Sequence, residues 1–126
     1  MIDYREIAGT DLVEIELDGS IDRAGFERIA ARLETAIARH GKLRLLEVVR
    51  SFTGIDPGTL WADLKFSLRH LGAFSRVAVV TDVGWIRPLA AVAGRLAPAE
   101  VRVFGLADIE HARTWLRHGA PAPEAT

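Results

Sequence analysis

The run Leu43-Arg44-Leu45-Leu46-Glu47-Val48-Val49 constrains the fold more than any other stretch, because apart from Arg44 and Glu47 it is apolar on both alternations. Successive side chains of a strand point to opposite faces, so such a run belongs in the middle of a sheet that is covered on both sides. Before it lies a segment running from Asp22, a natural N-cap, to His40, with Gly41 as its stop. Phe26, Ile29, Ala30, Leu33, Ala36 and Ile37 fall on one face of that segment and Arg28, Arg32, Glu34 and Arg39 on the other, the pattern of an amphipathic layer helix. A strand, a helix and a buried strand in succession imply a right-handed parallel crossover.

The flanking segments extend this arrangement. Ile2 to Ala8 and Leu12 to Asp18, joined by Gly9-Thr10-Asp11, read as a β-hairpin. In its second arm Val13, Ile15 and Leu17 alternate with Glu14 and Glu16, so one side faces a core. After Val49 a polar loop leads to Asp56-Pro57, a cap followed by proline at the first helical position. On the helix that follows, Leu60, Trp61, Leu64, Leu68 and Leu71 form one stripe, expected to face inward, and Gly72 closes it. Arg76 to Asp82 is the next strand. A third helix then places Trp85, Leu89, Val92 and Leu96 inward, with Pro88 in its first turn and Pro98 beyond its end. Val101 to Leu106 gives the fifth strand. Asp108 is expected to cap a last helix that turns Ile109, Ala112, Trp115 and Leu116 inward and stops at Gly119. The order β-β-α-β-α-β-α-β-α predicts an α/β domain: a five-stranded, mostly parallel sheet with an N-terminal hairpin and four helices.

With 126 residues, of which 49% are hydrophobic and 26% charged, the chain fits one globular domain, expected over 1–119, with an alanine- and proline-rich tail at 120–126 expected to be disordered. The formal net charge of −1 lacks the positive field that nucleic-acid binding uses, so no nucleic-acid partner is expected. Without cysteine there is no disulfide, thiolate ligand or thiol nucleophile. The opening Met1-Ile2-Asp3-Tyr4-Arg5-Glu6 lacks the organisation of a secretory signal, and no uncharged stretch is long enough to span a bilayer. A cytoplasmic protein without a transmembrane segment is expected.

In a parallel sheet, chemistry gathers where strands end and helices begin. That rim would collect Ser20, Asp22, Arg50, Ser51, Thr53, Asp56, Asp82 and Asp108. Capping accounts for Asp22, Asp56 and Asp108, and bonds to nearby backbone account for Ser51 and Thr53. Asp82 ends a strand before a helix start, where it serves either local amides or a ligand. Glu47 shares the parity of Leu43, Leu45 and Val49. An isolated carboxyl there would have a raised pKa unless, as the plainer reading has it, it reaches Arg50, Arg76 or solvent. His40, His70 and His118 sit near helix ends and His111 stands alone, so no metal set forms. No phosphate-binding glycine loop or nucleophile elbow is present, and no cofactor is expected. Hydrolysis or proton transfer through Asp82 or Glu47 is the weakest reading, because no nucleophile, base and oxyanion set accompanies either. Two surface features stand out more. Phe66 is expected to point outward, beside Asp63 and His70, and Ala90, Ala91 and Gly94 form a small outward face on the third helix. With Trp61 and Trp85 these make a candidate partner or ligand patch.

The blocks Leu43-Arg44-Leu45-Leu46-Glu47-Val48, Phe52-Thr53-Gly54, Leu60-Trp61-Ala62-Asp63-Leu64-Lys65-Phe66, Arg76-Val77-Ala78-Val79-Val80-Thr81-Asp82 with Trp85, and Val103-Phe104 with Ala112-Arg113-Thr114-Trp115-Leu116 resemble, in order and spacing, the SpoIIAA-like family of small bacterial domains. That family is related in fold to STAS domains and has been compared with Sec14 (CRAL-TRIO) lipid-binding modules. The resemblance implies a non-enzymatic regulatory or protein-interaction module, with a protein partner or self-association. STAS regulators carry a phosphorylatable serine in a D-S-S-G-like turn at this helix start; here the turn reads Asp56-Pro57-Gly58-Thr59-Leu60, without that serine, and Thr59 is not its equivalent. The Sec14 comparison implies an alternative: a carrier or sensor of a small apolar, lipid-like ligand in a cleft lined by Phe52, Trp61, Trp85 and neighbouring leucines.

Overall fold

A computed structural model describes residues 1–118, except for the side chains of Leu64 and Leu71, two members of the expected α2 stripe; these, Gly119 and the tail at 120–126 lie outside the described residues. Strands β1 (Ile2–Glu6), β2 (Leu12–Ile21), β3 (Leu43–Ile55), β4 (Phe74–Thr81) and β5 (Glu100–Phe104) lie side by side in chain order. β1 is antiparallel to β2, and the later pairs are parallel. Helices α1 (Arg23–His40), α2 (Pro57–Arg69) and α3 (Ile86–Leu96) connect the parallel strands, and α4 (Ile109–His118) follows β5.

A single crossover hand, applied to strands laid down in order, places every connecting helix on one face. α1 packs Ile29, Leu33 and Ala36 onto Val13, Ile15, Leu43 and Leu45 there. α4 covers the other face, with Ala112, Trp115 and Leu116 on Leu46, Val48, Ala78 and Val80. β3 is therefore buried on both sides, as its sequence predicts, with Leu43, Leu45, Glu47 and Val49 directed at α1 to α3.

The capping chemistry follows from the side chains expected to supply it. Asp22 accepts from the Gly25 amide at 2.7 Å. Asp56 takes the Thr59 amide at 3.0 Å and the Thr59 hydroxyl at 2.6 Å, which satisfies a hydroxyl that has no solvent exposure. Asp108 does not follow this pattern. β5 ends at Phe104 rather than Leu106, a 3-10 turn (Leu106–Asp108) intervenes, and the Asp108 carboxylate lies 3.6 Å from His111 Nδ1.

Two larger differences bear on function. The stretch expected as a polar loop after Val49 remains strand: Ser51 to Ile55 pair with Asp18 to Ile21 across two register irregularities, beside Gly19 at φ 100°. The second difference is that α2 and α3 are both turned over relative to expectation. Leu60, Trp61 and Leu68 on α2 are each more than half exposed, as are Trp85, the N-cap of α3, and Leu89, Val92 and Leu96 on that helix. The opposite faces look inward. Phe66 meets Phe26 edge-on at 6.1 Å and joins the cluster formed by α1. Gly94 lies so close to β5 that an added Cβ would stand 2.8 Å from Val101 Cβ. Hydrophobic periodicity identifies a stripe but not the surface it meets, and a glycine face allows the closer helix–sheet approach that sets the roll of α3.

Candidate functional site

With α1, α2 and α3 sharing one side of the sheet, their spacing decides whether that side closes. α2 packs mainly alongside α1, whereas α3 sits on β4 and β5. Between α2 and α3 the sheet is left uncovered, and a cleft of about 500 Å³ remains. Its floor is Ile15 and Leu17 of β2, Leu45, Glu47 and Val49 of β3, and Val77 and Val79 of β4. Phe66 and Leu60 form the α2 wall, Ala90 and Ala93 the α3 wall, and Phe52 with Trp85 the mouth, in edge contact at 5.4 Å.

The polar groups lining the cleft are few: Glu47, Asp63, Ser67 and His70. Glu47 rises from the floor on the same parity as its apolar neighbours. The cleft admits water to it, so it is not sealed, yet protein surrounds it. The pKa of its carboxyl is pushed up to about 7, first by burial and then by the nearby Asp63 carboxylate. Asp63 is also raised, by burial, although its side chain reaches the cleft opening. Among the described residues neither carboxyl has a hydrogen-bonding or ionic partner. The bases proposed for Glu47 lie elsewhere: Arg50 pairs with Glu16 and Arg76 with Glu100. That correction follows from parity, since Arg44, Arg50 and Arg76 belong to the opposite face of the sheet. His70 at the cleft edge lies against Phe66, ring centroids 4.4 Å apart and tilted by 50°, and faces Glu34 at 3.3 Å.

The residues singled out from sequence thus separate into groups. Phe66, expected outward, and Ala90 and Gly94, expected as an outward small face, all turn inward; only Ala91 of that face stays exposed. Trp61 is exposed on the outer side of α2 and does not line the cleft, while Trp85 stands at its mouth. The rim candidates do not converge. Ser51 donates to Asp18 at 2.6 Å, Thr53 is exposed, Asp56 is a cap, and Asp82 accepts from the Leu106 amide at 3.1 Å, holding the entry to the 3-10 turn. Asp63 was noticed in the sequence only as a neighbour of Phe66; once α2 is rolled inward, the same spacing brings Asp63, Phe66 and His70 to the cleft together.

No helix among the described residues is long and apolar enough to cross a membrane. No described group of histidine, aspartate and glutamate is placed to hold a metal ion. The fold has a solved counterpart. An uncharacterised protein of the DUF3478 family with a SpoIIAA-like fold, from Shewanella loihica, superposes with a TM-score of 0.74 at 25% identity, over 92% of each chain. No curated protein matches the chain. The SpoIIAA-like family model matches residues 12–117, from the second strand of the hairpin to the end of α4. That span takes in the whole parallel sheet and each wall of the cleft, and the chain belongs to the SpoIIAA-like family.

Proposed function

We propose that the protein is a non-enzymatic binding module, a carrier or sensor of a small apolar ligand held between α2 and α3. The observation that carries this reading is the cleft itself: about 500 Å³, open at one side and lined by aliphatic and aromatic side chains around a few polar groups. Ligand pockets typically enclose about 300–1,000 Å³ and have this composition. A second hollow, of about 390 Å³, lies on the other side of the sheet, but Arg5 and Arg113 there are already paired with Glu14, and its lining is mostly charged rather than apolar. Native mass spectrometry of freshly purified protein should show a bound species or uptake from added lipids. Ala90→Phe, which fills the cleft from the α3 wall, should abolish it. A bare chain that takes up nothing in either form would overturn the reading.

A second reading, a self-associating interaction module, is favoured by the outward stripes. Trp61, Leu68, Val92 and Leu96, none of which lines the cleft, expose 53–83% of their surface, an apolar display beyond what scattered surface residues account for. Light scattering should then give a mass above the monomer for wild type and the monomer for Trp61→Asp/Val92→Asp. Monomer for both would exclude self-association.

A further inference from the structure

The charge inside the cleft narrows the kind of ligand it can take, given the reading that a ligand binds there. Its titratable side chains are Glu47 on the floor, Asp63 on α2 and His70 at the edge, and His70 is directed at Glu34. No lysine or arginine among the described residues lines it. The nearest strand arginines, Arg44, Arg50 and Arg76, are committed to Asp11, Glu16 and Glu100 on the other face of the sheet. Glu47 therefore faces the apolar space without a donor or a counter-charge, and Asp63, exposed to solvent at the opening, adds a second carboxyl.

Placing a carboxyl in such surroundings without a partner is unfavourable, and the folded chain offers none. An occupant with an anionic head would bring another acidic group to Glu47 and Asp63 and no cation to either. An occupant with a protonated amine would supply both the charge and the N–H donors that these oxygens lack, while its chain covered Ile15, Leu45 and Phe66. We propose that the cleft binds a single-chain amphiphile through an ammonium head seated on Glu47, with Asp63 as the second carboxylate and the alkyl chain lying between α2 and α3. The elevated Glu47 value agrees with this, because it reports a carboxylate held without a cation.

Titration calorimetry with decylamine, decanol and decanoate, each below its micellar limit at neutral pH, tests the assignment. Decylamine should bind about tenfold or more tighter than the other two, the scale of one charge-assisted hydrogen bond. Glu47→Gln should remove that preference while leaving decanol binding in place, and Asp63→Asn should reduce it by a smaller factor. Equal binding of all three probes, tighter binding of decanoate, or a preference that survives Glu47→Gln would overturn the ammonium assignment and leave the apolar site standing. Failure of all three probes to bind would overturn the site and, with it, the assignment.

Discussion

Replacing Glu47 by glutamine is expected to stabilise the protein in a pH-dependent way. The Glu47 carboxyl titrates at about 7 in the folded chain against an ordinary 4.5. Between those values the folded state retains a proton that the unfolded state has released, so stability is full below pH 4.5 and falls as pH rises through about 7. The full conversion of that difference is about 3 kcal/mol, and because the cleft admits water we expect about 2–3 kcal/mol. Glutamine keeps the shape and cannot ionise. No described residue bonds to Glu47, so the substitution removes no native hydrogen bond.

At pH 4.5 the two proteins should agree within about 0.5 kcal/mol, and at pH 8 the variant should be more stable by about 2–3 kcal/mol, or about 6–12 °C in Tm. Urea denaturation at intervals from pH 4.5 to 8 measures the divergence, and carbon NMR of the glutamate carboxyls locates the titration directly. Asp63 is raised too, but by burial alone, so its titration should stay in place in the variant. A stability difference constant across the pH range, or a Glu47 carboxyl carbon titrating near 4.5, would refute the placement of this side chain in an apolar cleft without a partner.

The roll of the two outer helices is tested by stability alone. Gly94→Ala should lower stability, because contact with Val101 costs about 1–3 kcal/mol while the gain in helix propensity is at most about 1 kcal/mol; a raised Tm would mean that α3 does not lie against β5 as described. Phe66→Ala should cost about 2–3 kcal/mol through its lost packing on Phe26, whereas Leu68→Ala on the outer stripe should stay within about 0.5 kcal/mol. Thermal melts that reverse this order would place the leucine stripe inside.

Much of the architecture was legible because it rests on rules that act within a segment. The two-sided apolar run at Leu43 to Val49, the caps at Asp22 and Asp56 and the alternation in β2 each report the environment of their own element, and the sheet follows from their order. The parity of Glu47 was legible in the same way. Its lack of a partner was harder to foresee, because Arg50 and Arg76 are near in sequence or register but belong to the other face. The roll of α2 and α3 could not be read, since each helix is apolar on two sides: leucines and tryptophans on one, and Phe66 or the Ala90–Gly94 face on the other. For such helices, burying the larger stripe is the usual outcome. Here the smaller faces are the ones that fit, Gly94 against Val101 and Phe66 against Phe26. The exposed stripes and the open cleft therefore have one origin. Turning Trp61, Leu68, Val92 and Leu96 outward, with Leu60, Trp85 and Leu89 only at the cleft's margin, removes side chains that would otherwise have filled the space above Glu47, and that leaves a carboxyl, a second acid from α2 and an apolar wall facing a common volume. The cleft is a consequence of helix roll, and for that reason the candidate residues at the strand ends did not disclose it, while of the aromatics expected to line one, Phe52 and Trp85 do and Trp61 does not.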